Sequence, residues 1–328
     1  MSLSLREKQS LYHSLGQLLR SGVPLPGALA NLALTARGSQ RRLLLRVRES
    51  VDAGRTVAEA LNAARPAVSE MEVGIVSAVE RAGRMEQGMA QLAGYFQALA
   101  AAREGILKKC AYPAFVLHFG IIILSLPTLL FGGGLEAYVR KTGQVLVLIY
   151  GVALIVALLV PLLIDAGARS AALDALLRMF PLVGKIRRAF AVARFCATYG
   201  MQLNAGINVM DALQAAQRAS RSGLIRATVR RAIPEVRNGA QVGPALAAGG
   251  AFPEPMIRAF SVGEQTGELD QELARLAADY QSEALSRLEN AAEWAPRLFY
   301  VAILLYTGYS IVSLYQKYMQ DVCKLMDF

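Results

Sequence analysis

Apolar residues recur at intervals of three and four from the start of the chain. Leu11, Leu15 and Leu18 form one set, Leu25, Leu29 and Leu32 the next, and Leu44, Val47 and Val51 a third. Such spacing lays one apolar stripe along each of several short helices. Glycines fall where those helices should stop, at Gly22, Gly54 and Gly83 and again at Gly206, Gly239 and Gly267; a left-handed residue at a helix end is most easily glycine. Helix starts are marked by Thr56 with Glu59 and Ser69 with Glu72, the spacing of a reciprocal N-terminal cap. Pro255 suits a first helical position. Nothing alternates with period two over β-branched residues, so the expectation is all helix and essentially no sheet.

Three runs lack Asp, Glu, Lys and Arg: Cys110 to Leu135, Thr142 to Ile164, and Leu298 to Gln316, of 26, 23 and 19 residues. A membrane span takes about 17–25 apolar residues, so three transmembrane helices are predicted. Phe195 to Met210 carries Gln202, Asn204 and Asn208, and Asn238 to Pro253 is broken by glycine and proline, so both read as soluble. Composition agrees, with 54% apolar and 18% charged residues and a mean hydropathy of +0.36. MSLSLREKQS has no apolar core or cleavage site of a signal peptide.

Basic residues number 15 before the first span, 2 between the first two, 16 between the second and third, and 2 after the third. By the positive-inside rule both large segments are cytoplasmic. The net charge of +10 then lies beside the membrane, where anionic lipid accounts for it more simply than nucleic acid. No nucleic-acid-binding module appears. Lys108 and Lys109 before the first span, and Arg187 and Arg188 after PLVGK, are expected near lipid phosphates or as topology signals alone.

The two large segments repeat each other. LLRSGVPLPGAL (Leu18 to Leu29) aligns with QLNAGINVMDAL (Gln202 to Leu213), an offset of 184, and VERAGRMEQ (Val79 to Gln87) with GEQTGELDQ (Gly263 to Gln271) at the same offset. Between them AGRTVAEAL aligns with NGAQVGPAL one residue out of step. The repeated unit is about six helices followed by a span. Its sixth helix, over 84–109 and 268–293, is long and runs directly into the membrane.

Catalytic patterns are missing. There is no G-x-x-x-x-G-K-[ST], G-x-S-x-G or H-E-x-x-H, and the spans hold no carboxylate pair that could serve an aspartyl peptidase. The glycines at 132–134 read as a turn. His13 and His118 lack metal-ligand spacing. His118, inside the first span, is expected to bond a neighbouring helix or a backbone carbonyl rather than relay protons. Cys110 and Cys196 lie on the reducing side, and Cys323 reads as a free thiol near the lipid surface. Pro161 reads as span-end punctuation, whereas Pro113 is left open as a hinge. The chain is expected to bind no cofactor or metal.

The duplicated motifs, the AYPAF sequence opening the first span, and three spans in this order resemble the inner-membrane platform family of type II secretion F proteins and type IV pilus platform proteins. The resemblance covers about residues 8 to 316. Because the first repeat begins almost at Met1, the chain is similar to the shorter type IVb or conjugative-pilus members. ERAGRME departs from the family's usual Gly-Glu, small residue, Gly pattern, which sets Arg81 to Met85 apart from the second loop.

The resemblance implies an all-α integral membrane protein with two six-helix cytoplasmic bundles. The layout is a first repeat over 1–109, spans over 110–131 and 145–164 around a short periplasmic loop (132–144), a second repeat over 165–297, a span over 298–316, and a periplasmic tail (317–328). The implied place is the bacterial inner membrane, with a cytoplasmic N-terminus and periplasmic C-terminus. Implied partners are a hexameric assembly ATPase, pilin or pseudopilin subunits, other inner-membrane pilus-assembly proteins, lipid and further copies of the chain. Candidate ATPase-facing residues are Glu80, Arg81, Gly83, Glu264, Thr266 and Gly267, with helix capping as the plain alternative, and Pro113 is the candidate hinge. The rival function is a membrane-tethered scaffold or signalling protein; a transporter would need polar spans, which these are not.

Overall fold

The computed structural model describes residues 3–129 and 134–326, which form fourteen α-helices and no strand. The first series comprises α1 (Leu5–Arg20), α2 (Leu25–Thr35), α3 (Gly38–Asp52), α4 (Val57–Ala63), α5 (Glu70–Arg81) and the long α6 (Met85–Thr128). After α7 (Gly134–Arg169) and a short α8 (Ala171–Met179) the series recurs. It runs α9 (Pro181–Asn204), α10 (Val209–Ala219), α11 (Gly223–Arg237), α12 (Val242–Ala247), α13 (Glu254–Thr266) and the long α14 (Leu269–Met326). The glycines at 132 and 133 lie outside the described residues, as does the Cys323 side chain.

Local signals set the helix ends. Thr56 and Ser69 each close a reciprocal cap, with Glu59 and Glu72 bonding back to their backbone N–H groups. All six expected stop glycines have left-handed backbone, Gly83 at φ 67° and Gly267 at 76°, a region that side chains disfavour. Pro255 sits one position later than expected, because α13 starts at Glu254.

The chain divides into two compact units. The larger holds Met1–Ala102 and Leu163–Arg287, and the smaller holds Arg103–Leu162 and Leu288–Phe328. Within the larger unit each copy has its own apolar core. Gly16 lets α1 approach α6, where an added Cβ would stand 3.3 Å from the Met89 Cβ; Gly200 does the same for α9 and α14, 3.0 Å from the Leu273 Cβ. These contacts are 184 residues apart on both sides, so the copies share packing as well as element order.

Their centres differ in chemistry. In the first copy Glu72 is fully buried, accepting from Lys8 Nζ and from the Tyr12 hydroxyl, each at 2.6 Å. Phe96 stacks on Tyr12 with ring centroids 5.7 Å apart, and Lys8 lies over its face at 5.1 Å. Burial, reinforced by the Glu72 charge, pushes the Tyr12 hydroxyl well above its ordinary pKa. At the corresponding positions the second copy has Val192, Cys196, Met256 and Tyr280, the first three buried. Desolvation raises the Cys196 thiol and holds Tyr280 at about 12.

The copies meet through α5, which packs on α9 and α10. An added Cβ at Gly74 would stand 3.0 Å from Thr198 Cγ2, and Gln202 Nε2 donates to the Gly74 carbonyl at 2.8 Å. Arg226 donates to Glu70 at 2.8 Å and Arg84 to Asn204 at 2.5 Å. Among the described residues no extended contact joins the counterpart helix α13 to α1 or α2. The interface is therefore heterologous, using one face of the repeat on the first copy and a different face on the second.

A second buried polar centre corrects the lipid expectation for Arg187. Its guanidinium is mostly buried and donates to Asp174 at 2.8 Å and to the Ile164 carbonyl at 3.3 Å. Asp174, almost wholly buried, also accepts from the Ser222 hydroxyl and from Leu224 N–H at 3.2 Å. A charge this far from water requires such pairing. Rather than facing lipid, Arg187 is a bolt between α8, α9, α11 and the end of α7.

Two helices are long and apolar enough to cross a membrane, Met85–Ile123 and Gly134–Arg169. The predicted third span, 298–316, lies on the continuous α14, where Leu304, Leu305 and Tyr309 are exposed; many neighbouring side chains there are outside the described residues. Helix α7 starts at Gly134, so most of the expected loop over 132–144 is helical. Pro161 lies inside α7, eight residues before its end at Arg169. The helix therefore does not end at this proline; proline is tolerated in membrane helices because neighbours can satisfy the freed carbonyl. His118 Nδ1 lies 2.6 Å from the Ala114 carbonyl and Nε2 2.5 Å from the Tyr150 hydroxyl, the carbonyl and neighbouring-helix partners expected.

Candidate partner-docking site

A polar cleft of about 930 Å³ opens where the copies meet, walled by α4 and α5 on one side and α10 on the other. Its floor includes Gly74 and Gln202, the close-approach point of the interface. Of the residues singled out from sequence, Glu80 and Arg81 line it. Gly83 lies just beyond, in the turn between α5 and α6. Glu264, Thr266 and Gly267 are on the second copy and are not among its lining residues. The six candidates are therefore two equivalent helix ends, not one assembled site.

Both glutamates have a structural role. Glu80 accepts from the Val57 and Ala58 N–H groups at 2.6 and 3.0 Å, and Glu264 from those of Val242 and Gly243 at 2.7 and 3.0 Å. Each carboxylate thus satisfies the free donors and positive end of a short helix, α4 or α12. Alanine at either position removes that acceptor along with any partner contact. Thr266 Oγ1 donates to the Val262 carbonyl at 3.1 Å, and Gly267 ends α13 in left-handed backbone.

Arg81 has no such role in the fold, because its side chain is exposed and makes no hydrogen bond or ion pair among the described residues. Sequence reasoning missed Asp211, Gln214 and Arg218 on the opposite wall. Their spacing of three and four on α10 marks one helix face, the signal that could have found them. Pro113 lies within α6, which continues through it. Lys109 Nζ donates to Glu293 at 2.8 Å, pairing the two positions 184 residues apart where the long helices enter their apolar stretches. Among the described residues no group of His, Cys, Asp and Glu could hold a metal ion.

The fold defines a duplicated helical membrane protein with a polar cleft between its copies. The family of type II secretion system protein F matches it twice, over residues 11–131 and 195–315, the starts again 184 apart. The chain belongs to that family, whose members are non-enzymatic membrane platform proteins. It is 28% identical over 310 residues to type II secretion system protein F of Pseudomonas aeruginosa, covering 87% of this chain and 75% of the relative. It is 26% identical over 318 residues to type IV pilus assembly protein TapC of Aeromonas hydrophila, covering 91% and 77%. With type IV pilus assembly protein PilC of Thermus thermophilus it shares 27% over 304 residues, covering 85% and 74%.

Proposed function

We propose that this protein is the inner-membrane platform of a type IV pilus or type II secretion machine. In that role it couples a cytoplasmic hexameric assembly ATPase to the insertion of pilin subunits into the fibre. The observation that carries the reading is the doubled family match, in which each copy pairs a helical bundle with a long helix continuing into an apolar stretch. A helix without a break transmits displacement of one end to the other, so a push on the bundle would reach the spans.

The topology follows on the same reading. Two spans separate the copies, and contact between α5 and α9 supports placing both copies on one side of the membrane. The distribution of Lys and Arg puts that side in the cytoplasm, which leaves the 317–328 tail periplasmic. Pilin, whose apolar helix lies in the bilayer, would meet the spans, with Pro113 as the point of bending. The loops at Glu80, Arg81 and Gly83, and at Glu264, Thr266 and Gly267, face the ATPase, and further copies of the chain join in the assembly.

The test is affinity purification of the tagged, detergent-solubilised protein from its own bacterium after crosslinking in cells, with mass spectrometry of what accompanies it. Recovery of a secretion-type ATPase together with a prepilin is the expected result, and the prepilin decides between pilus and secretion pseudopilus. Abundant folded protein that repeatedly brings neither would overturn the reading.

A further inference from the structure

We infer that the cleft between α5 and α10 receives an acidic segment of a partner protein, whose carboxylates pair with Arg81 and Arg218. The inference rests on the platform reading and adds the chemistry by which its soluble partner is recognised.

The lining holds four carboxylates and three guanidiniums, and what is open to a ligand depends on which of them already have partners in the fold. Glu80 caps α4. Glu59 bonds back to the Thr56 N–H at 3.1 Å. Glu70 accepts from Arg65 at 3.0 Å and Arg226 at 2.8 Å, and Asp211 accepts from the Asn208 side chain at 2.6 Å. All four carboxylates of the cleft are engaged within the fold. Arg65 is engaged with Glu70. Arg81 and Arg218 line the same cleft and are exposed, and their guanidiniums have no hydrogen-bonded or ion-paired partner among the described residues. The two guanidiniums left without a partner in the fold suit carboxylates bidentately.

Comparison of the copies gives an independent reason to treat the pair as a device. At the positions corresponding to Arg81 and Arg218 the repeat has Gln265 and Leu34, both exposed. The fold therefore does not require cations there. They occur on the two helices that face each other across the junction, α5 and α10, and not on their counterparts α13 and α2. The lining favours a peptide segment over a nucleotide. It includes no aromatic ring to stack on a base, and the chain has no phosphate-cradling glycine loop.

A photo-crosslinking residue placed at Gln214, on the α10 wall of the cleft, tests this in the full-length protein in its native membrane. A second probe at Gln265 serves as the position outside it. Crosslinked peptides are identified by mass spectrometry. The Gln214 probe should capture an acidic segment of the ATPase, and capture should fall about tenfold or more in R81E/R218E, a typical loss when an interfacial charge pair becomes repulsive. Replacing the captured carboxylates by lysine should restore it. Both arginines are exposed, so the double variant should match the parent in yield and thermal unfolding.

A neutral or basic captured segment, or capture indifferent to R81E/R218E, would overturn the inference. So would binding of a fluorescent ADP analogue to the purified protein that R81E/R218E abolishes, since the cleft would then be a site for a small phosphate. ATPase captured at Gln265 but not at Gln214 sinks the acidic cleft and leaves the platform reading standing. Failure to capture ATPase or pilin from either probe and by affinity purification sinks both.

Discussion

The two copies of the bundle solve the same packing problem with opposite chemistry. Where the first places Lys8, Tyr12 and Glu72 beneath Phe96, the second places Val192, Cys196 and Met256 beneath Tyr280. The helices, the glycine contacts at Gly16 and Gly200, and the carboxylate caps at Glu80 and Glu264 are kept. The fold therefore does not depend on the buried ion pair, since three apolar or weakly polar side chains fill the same positions. An ion pair in a core offsets its desolvation only through good geometry and additional hydrogen bonds. Here Tyr12, the Ser69 N–H and the Phe96 face supply them. The same repeat element also serves two ends: α5 is covered by the second copy, while among the described residues α13 has no such extended cover from the first.

The largest expected effect breaks the ion pair on one side only. Glu72→Gln leaves the Lys8 ammonium buried without its counter-charge and should destabilise the first copy by about 3–5 kcal/mol. Transplanting the second copy's residues, K8V/Y12C/E72M, should instead leave stability near the parent's or raise it by about 1–4 kcal/mol. Loss of the Glu72 cap on Ser69 subtracts part of that gain. Denaturant unfolding of the full-length protein in detergent, followed by limited proteolysis in the first copy, measures both. Equal losses in the two variants would mean that the copies are not interchangeable at this position.

Next in size is overpacking at the shared helix crossings. Gly200→Ala should cost about 1–3 kcal/mol and exceed Gly16→Ala, because the Leu273 Cβ is nearer than the Met89 Cβ, 3.0 against 3.3 Å. The same unfolding measurement ranks them. Smaller again are the caps: Glu80→Ala and Glu264→Ala should each cost about 0.5–2 kcal/mol, with similar values because the geometry is duplicated. A neutral result at one and a loss at the other would break that symmetry.

The smallest effect is on pH dependence. Tyr12 is held protonated by burial and by Glu72, so its folded pKa lies above its unfolded value of about 10. Its contribution to stability is complete below pH about 10 and declines as pH rises from there through the folded pKa. Tyr280, held at about 12, acts in the same direction in the second copy. Alkaline unfolding midpoints should therefore shift in Tyr12→Phe and in Tyr280→Phe, each removing only its own copy's share.

Much of this molecule was legible in the sequence wherever the cause was local. Thr56 with Glu59 and Ser69 with Glu72 lie one turn apart, and the stop glycines act on their own helix, so both patterns predicted observed ends. The repeat was legible because its glycines and acids recur at one offset. What stayed hidden depends on distant partners. Glu72 reads as a cap until Lys8 and Tyr12, sixty and more residues earlier, close on it. Arg187 reads as a lipid-facing charge until Asp174 is seen beside it. The engagement of Glu80 and Glu264 was hidden for the same reason, as these acceptors serve helix starts more than twenty residues away. Arg81 stood out only as a departure between copies, and Arg218 not at all, since a cleft between copies has no signature within either.

The central claim is that duplication gives one soluble assembly in which the first copy's α5 docks on the second copy's α9, while the equivalent pairing of α13 with α1 is left open. Cysteine pairs test it directly in native membranes, in a background with Cys110, Cys196 and Cys323 replaced by serine. Gly74→Cys with Thr198→Cys joins positions in contact, within the reach a disulfide needs. Arg258→Cys with Ser14→Cys joins the corresponding positions, 184 residues away on each side. The account predicts rapid intramolecular disulfide formation in the first pair on mild oxidation and none in the second. Efficient crosslinking of Ser14→Cys to Arg258→Cys within one chain, or none between Gly74→Cys and Thr198→Cys, would contradict it.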